Sequence, residues 1–295
     1  MIKTNEAKLV KMAVQGKPAN PIRYGEFEVD AEGKGHALPS VGGITYNIKV
    51  GDPAFGWRGD HIEPGVSVIL DEEKRASRQN MAFGFLACIG NTARVVSGQA
   101  RGALGVVTGQ HGGVEHILID FDSKTLGKLT YDDKILIEAY GQGLKIDEAP
   151  NVAVYNLDPR VLKVWGIRLL RGAVLEVPVV LEVPSAIMGS GLGHPDPGTG
   201  DYDITTQDPK VVKRYGLDHL RFGDFVAIRD ADNTFGRHYY EGAVTIGIVS
   251  HSDSFLSGHG PGVSTLLSSK EGKIKPKIYS QANLAQLLKI GRFKK

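Results

Sequence analysis

Short apolar runs rich in Val and Ile recur along the chain, each closed by Gly, Pro, Asp or Asn. They include GVSVIL (65–70), ARVVSG (93–98), GVVTG (105–109), HILIDF (116–121), KILIEAYG (134–141) and NVAVYNL (151–157). AVLEVPVVLEVP (173–184), DFVAI (224–228) and GAVTIGIVS (242–250) continue the series. β-branched runs of this length, punctuated by turn residues, read as strands of sandwiches or barrels. The pattern predicts a mainly β fold of two barrel-like or sandwich domains with a few short helices. Strand should exceed helix by at least about twofold, against the helix-rich average.

Helical patterns are few. DEEKRASRQNMAFGFLA (71–87) is the longest, with acidic residues where the helix dipole is positive. DPRVLKVWG (158–166) and DPKVVKRYG (208–216) each place Asp at the cap, Pro at the first helical position and Gly at the end. SQANLAQLLKIG (280–291) has a Ser cap, the apolar set Leu284, Leu287 and Leu288, and a Gly stop, which predicts a terminal helix over 281–290.

The Gly/Pro-rich loop SAIMGSGLGHPDPGTGDYD (185–203) excludes regular structure and marks a domain boundary. The expected division is 1–184 and 185–295. The first part includes 93–121, where a strand, spaced glycines and a second strand resemble the KOW motif of small RNA-binding barrels. Such glycines permit positive φ and close backbone approach.

Composition narrows the function classes. The 295 residues carry 35 basic and 33 acidic side chains, a formal charge of +2. That balance gives no strong pull toward nucleic acid or membrane. Near the KOW-like turn only Arg94 and Arg101 are basic, too few for phosphate binding of any strength. The single cysteine, Cys88, rules out an intrachain disulfide and fits a reducing compartment. It follows apolar residues and reads as a buried, inert thiol. The N-terminus MIKTNEAKLVKMAVQG lacks the apolar core of a signal peptide, and no run reaches the roughly 20 apolar residues of a membrane span. A cytoplasmic location is expected.

The strings VVTGQHGGVEHILIDF (106–121), PSAIMGSGLG (184–193), GDYDI (200–204), LRFGDFVAIRDADNTFGRHYYEGAVTIGIV (220–249) and SGHGPGVSTLL (257–267) resemble a family of bacterial and archaeal proteins of unknown function, known chiefly from structural genomics. The resemblance runs from about residue 10 to residue 290. It implies a mainly β architecture of two barrel-like domains and brings no assigned reaction.

The candidate chemistry therefore rests on residues. In VTGQHGGVEHILIDFD, a strand starting at Val114 would put Glu115 and His116 on opposite faces. Glu115, at the mouth of an apolar face, is a candidate acid or base, and His111 could fold back toward it. DADNTFGRHYYE (230–241) has Asp230, Asp232, Thr234 and Glu241 at spacings that echo a calcium loop. Its glycine is one place late and its flanks are strands, so a hairpin turn explains it as well. The loop holding Trp57, Arg58, Asp60, His61 and Glu63 suits a pocket rim or an oligomer contact. Gly189, Ser190 and Gly191 could present backbone N–H groups to an anion.

The stretch VSHSDSFLSGHGPGVST (249–265) carries the sharpest signal. If the strand continues through Asp253, His251 and Asp253 share a face, about 6.5 Å apart. SGHGPG then turns His259 back toward them. Two His and an Asp at a strand end could hold a divalent metal or form an acid–base relay.

These readings combine into an enzyme on a small polar molecule, a metal-assisted hydrolase or lyase. Its site would lie between the two β domains, on loops 57–63, 110–116, 188–203 and 251–259. Glu115, His251 and Asp253 are the catalytic candidates, and His111, His251 and His259 the ligands for a divalent metal. Trp57, Arg58, Gly189, Ser190 and Gly191 would contact the substrate. The rival readings are an RNA-binding protein using the KOW-like barrel and a non-catalytic β scaffold built as a homo-oligomer.

Overall fold

The computed structural model describes residues 2–23 and 25–294. Strand accounts for 34% and helix for 15%, so the mainly β expectation and its twofold margin both hold.

Six strands close into a barrel in the order Met12–Pro18, Val66–Ile69, His116–Asp120, Leu104–His111, Thr92–Val95 and Ile135–Ala139. Closure leaves no free edge. Alternation fills the interior: Ile135, Ile137 and Ala139 are buried, while Leu136 and Glu138 between them are not. Val66, Val68, Ala93, Val95, Val107, Ile117 and Ile119 complete that core. The KOW-like segment forms three neighbouring walls of this barrel. Gly105 permits the close approach foreseen there, since a Cβ on it would lie 2.6 Å from the Asp120 carbonyl oxygen.

The second sheet runs Leu181–Pro184, Phe225–Asp232, His238–Val249, Gly262–Ser269 and Tyr202–Asp203, with Ala153–Val154 pairing onto Gly262–Ser269. Every residue of Gly262–Ser269 is buried, because the barrel covers one of its faces and the sheet's own core the other. Ser264 joins the two halves: the Gln110 N–H donates to its Oγ at 3.2 Å, and its hydroxyl donates to the Gln110 carbonyl at 3.1 Å. A smaller sheet, Arg168–Leu170, Val174–Val179 and Ile274–Ile278, packs Leu175, Val177, Val179 and Ile274 into the same core as Phe225 and Ile246.

Two helices form as their caps predict. Asp158 accepts from the Arg160 N–H to start Pro159–Val164, and Asp208 from the Lys210 N–H to start Pro209–Tyr215. Gly216 ends the latter at φ 65°. The expected helix over 71–87 shortens to Arg78–Leu86. Asp71 accepts from the N–H groups of Glu73 and Lys74, which fixes a turn, and Ser77 then caps the helix. The terminal helix is Leu284–Leu288, because Asn283 caps it ahead of any Ser280 start.

Two strand readings need correction. The strand expected from Val114 begins at His116, and Glu115 sits in the turn at φ 59°. The strand expected through Asp253 ends at Val249, so His251 and Asp253 do not share a strand face. In the 230–241 segment, Asp230 accepts from the Gly242 N–H, and Asp232 from the Thr234 N–H and hydroxyl. Both carboxylates serve the hairpin turn. Among the described residues no helix is long and apolar enough to cross a membrane.

Candidate functional site

The barrel and the second sheet meet around a cavity of about 490 Å³ that Glu115, His61, His111, Asp201, Asp203 and His259 help to line. Local structure explains how each side chain arrives. His111 ends one barrel strand and His116 begins the next, directly opposite in register. Asp60, His61 and Glu63 come from the loop that feeds Val66–Ile69. Asp203 ends the short strand Tyr202–Asp203, and Asp201 immediately precedes it. Alternation sends both carboxylates to the cavity and Tyr202 into the core, where its hydroxyl accepts from Asn233. His251 follows the strand His238–Val249, and His259 precedes Gly262–Ser269.

Four imidazoles and two carboxylates converge. The outer set is His61, Asp203 and His259. The Asp203 Oδ2 lies 3.0 Å from His259 Nδ1 and 3.6 Å from His61 Nε2. The two ring nitrogens are 3.0 Å apart. The inner set is His111, Asp201 and His251, whose donor atoms lie within 4.8 Å of one another. His251 Nε2 is 3.0 Å from Asp201 Oδ2, and the His111 and His251 rings stack at 4.1 Å. Ligands about 2.1 Å from one ion, at tetrahedral or octahedral angles, stand roughly 3.0–3.4 Å from each other. The His251–Asp201, His259–Asp203 and His61–His259 distances, each 3.0 Å, match that spacing.

A further shell of contacts fixes the rings. His61 Nδ1 meets Asp60 Oδ2 at 2.5 Å, and His111 Nδ1 meets Glu63 Oε1 at 2.6 Å. His251 Nδ1 donates to the Ser252 carbonyl at 2.9 Å. With each Nδ1 so engaged, the Nε2 lone pair turns to the cavity, as in carboxylate–histidine–metal sites. Glu63 is itself held by the Gly42 N–H, the Ser67 hydroxyl and His116 Nδ1. Asp201 takes the Gly112 N–H on Oδ1, which leaves Oδ2 toward His251.

Two observations test whether a cation fits. His251 is wholly buried, and its Nε2 has no hydrogen-bond partner among the described residues despite the nearby carboxylates. That nitrogen therefore faces a space between carboxylates that could hold a cation. Gly262 keeps that space open: a Cβ there would lie 2.0 Å from Asp201 Oδ2 and 2.2 Å from His251 Nε2.

The electrostatics agree. Burial pushes the His251 imidazole down, but the Asp201 and Asp203 carboxylates outweigh it and hold its pKa well above the ordinary value. Burial pushes Asp203 up, and the neighbouring His251, His259 and His61 imidazoles outweigh that and hold it well below. Burial raises the Glu115 carboxyl, which lines the same cavity. Two residues here adopt left-handed backbone without being glycine, His61 at φ 49° and Glu115 at φ 59°. Such strain clusters where side chains are held for a task.

The structure thus brings His111, His251 and His259 together, with Glu115, Ser190 and Gly191 on the cavity wall. Asp253 lies elsewhere. It accepts from Thr206 Oγ1 at 2.5 Å and borders a separate depression with Trp57 and Arg58. Gly189 packs loop against loop, since a Cβ on it would lie 2.1 Å from the Gly258 carbonyl oxygen. Sequence reasoning placed Asp60, His61 and Glu63 on a rim without assigning them as ligands or supports. It missed Asp201 and Asp203, whose signal was the Asp-x-Asp spacing on a short strand. Arg94 and Arg101 are exposed on the barrel and do not line the cavity. Cys88 is buried, and burial with the nearby Asp158 charge pushes its thiol up to about 12.

Comparison with known proteins gives a family without a reaction. Residues 27–163 match the N-terminal domain of unknown function DUF4438, and residues 164–288 match its C-terminal counterpart. A solved structure, that of the protein TM1086, is 44% identical, with a TM-score of 0.91. The match covers 96% of this chain and 98% of that one. No curated protein matches. The chain belongs to the DUF4438 family, a family of unknown function with two matched domains.

Proposed function

We propose that this protein is a divalent-metal-dependent hydrolase acting on a small polar molecule in the cavity between barrel and sheet. The observation that carries the reading is the buried His251 Nε2, unpartnered and 3.0 Å from Asp201 Oδ2, within a cluster spaced for metal ligation. The donor set of imidazoles and carboxylates suits zinc, manganese, cobalt or iron(II). A bound ion would lower the pKa of water and polarise the substrate's electrophilic centre.

The chain's own groups supply the rest. His111, Asp201 and His251 hold their donor atoms in place through Glu63, the Gly112 N–H and the Ser252 carbonyl. Glu115, raised by burial, is the group that takes a proton from water as its oxygen joins the substrate. The same proton then passes to the leaving group as its bond breaks. Ser190 and Gly191 line the cavity and shape it, but the expected anion-binding N–H groups are spent within the protein: Gly189 donates to the Asp203 carbonyl, Ser190 to that of Gly258 and Leu192 to that of Gly189. Asp253, Trp57 and Arg58 take no part in this reading.

The test has two steps. The purified protein is stripped with chelator, equilibrated separately with zinc, manganese and cobalt, dialysed, and assayed for bound metal. Each loaded form is then offered p-nitrophenyl esters of acetate, phosphate and phosphodiester type. Retained metal and metal-dependent p-nitrophenol release support the reading. No retention of any of the three metals overturns it.

A further inference from the structure

The two carboxylate oxygens of Asp203 face different histidines. Oδ2 is 3.0 Å from His259 Nδ1 and 3.6 Å from His61 Nε2, while Oδ1 is 3.5 Å from His251 Nε2. From this we propose that the site holds two divalent cations bridged by Asp203, a tightly held inner ion and an exchangeable outer ion. The inference rests on the metal reading above and goes beyond it in number, bridge and inequality of the ions.

Each ion has a complete first set of its own. His111, Asp201 and His251 form one group of two imidazoles and a carboxylate, and His61, Asp203 and His259 form another. Each also has its own supports. Glu63, Ser252 and Gly112 orient the inner set. Asp60 orients His61, and the Gly260 N–H donates to Asp203 at 3.3 Å. A single ion would leave one of these supported sets without a task. The sets also lie close enough for a shared carboxylate: the His61 and His251 rings are 4.9 Å apart between centroids. Bridged metal pairs stand about 3.5–4 Å apart.

Charge points the same way. Asp60, Asp201 and Asp203 are buried and line this one space, with Glu63 behind them against His111 and His116. Buried charge is tolerated when compensated. One divalent ion leaves the three lining carboxylates with a net negative charge, and a second removes it. Arg237 adds one positive charge at this edge, where its guanidinium donates to the backbone carbonyls of Asp201 and Thr199.

Exposure separates the two ions. The His251 side chain is 0% exposed and the His259 side chain 32%. An ion reached past His259 meets solvent and substrate directly. An ion behind it can leave only when the cluster opens. The outer position therefore exchanges first and is the one that meets substrate.

The test is stoichiometry on the full chain. Chelator-stripped protein is titrated with zinc by equilibrium dialysis, and bound zinc is measured by mass spectrometry. Two zinc ions per chain are expected, with affinities at least tenfold apart. His259→Ala should bind one and keep the tighter affinity. His251→Ala should lose the tight site. Asp203→Asn should weaken both. Circular dichroism and melting of each stripped variant establish that it is folded. Cobalt-loaded protein gives a second readout: a bridged pair has magnetically coupled ions, which lowers the electron paramagnetic signal per cobalt relative to His259→Ala. One zinc per chain in the wild type overturns the two-ion proposal and leaves the metal reading standing. No zinc, with no manganese or cobalt either, overturns both. Two zinc ions retained by His259→Ala overturn the assignment of the outer site.

Discussion

His251 Nε2 lies 3.0 Å from Asp201 Oδ2 without a hydrogen bond between them. The other ring nitrogen of His251 donates to the Ser252 carbonyl, so Nε2 faces the carboxylates, which hold the ring's pKa well above the ordinary value and favour a proton there in the metal-free protein. The buried space between them is strongly negative, and a divalent cation there would take the place of the ring's proton and be held by both groups. Replacing His251 with Ala should cut metal retention by at least tenfold. The metal-stripped variant should melt below the stripped wild type, because losing a fully buried ring opens a cavity and leaves Asp201 and Asp203 without their imidazole partner. Metal content and melting temperature check both halves.

Gly262 guards the same space from the backbone side. A Cβ there would come 2.0 Å from Asp201 Oδ2 and 2.2 Å from His251 Nε2. Gly262→Ala should therefore displace these donors and reduce bound metal as far as His251→Ala does. Dialysis against zinc followed by metal analysis checks it. Wild-type metal content in this variant would count against the inner set as ligands.

Glu63 touches no substrate space of its own and acts through His111. Its Oε1 receives His111 Nδ1 at 2.6 Å. Loss of such an outer carboxylate typically costs 10–100-fold in metal affinity. Glu63→Gln should show a loss in that range while Asp253→Asn, whose carboxylate bonds Thr206 and lines a separate depression, keeps wild-type affinity. A zinc competition assay with a chromophoric chelator reads both.

Asp120 offers a stability test independent of metal. Burial pushes its carboxyl up to about 6. The Gly291 N–H, Lys49 and Lys294 oppose the rise, and Asp122 adds to it. A folded pKa above the unfolded value means the folded state holds the proton more tightly. The favourable contribution is full below about pH 4 and is lost as pH rises through about 6. Asp120→Asn removes the titration and keeps an oxygen for the Gly291 N–H. The variant should match the wild type near pH 4 and exceed it above pH 6 by about 3 kcal/mol or less. Urea unfolding at a series of pH values measures the difference, and a constant offset across pH would refute it.

Cys88 should be silent to thiol reagents in the folded protein. It is fully buried, with its thiol pushed up to about 12. The thiolate is the reactive form. Iodoacetamide at pH 8 should label it only in denaturant, as intact-mass measurement will report.

Sequence by itself determined what depends on near neighbours. The β-branched runs between glycines became strands, because pattern and turn chemistry act within a few residues. Asp158 and Asp208, each followed by Pro, became helix caps for the same reason. Where local signals competed, the reading slipped. Asp71 bonded its own turn and shortened a helix, and Glu115 took a left-handed conformation that moved a strand start. The candidate site was legible only in part. His251 and His259 sit near each other in the chain, and the glycines around them announced a loop. Their partners did not. His61 reaches His259 across 198 residues, and Glu63 reaches His111 across 48. Asp201 and Asp203 were visible as a spacing, but their direction depended on which face of a short strand met the barrel. Only the packing of barrel against sheet decided that, since it alone brings distant chain segments within bonding distance and removes the water that would otherwise separate their charges.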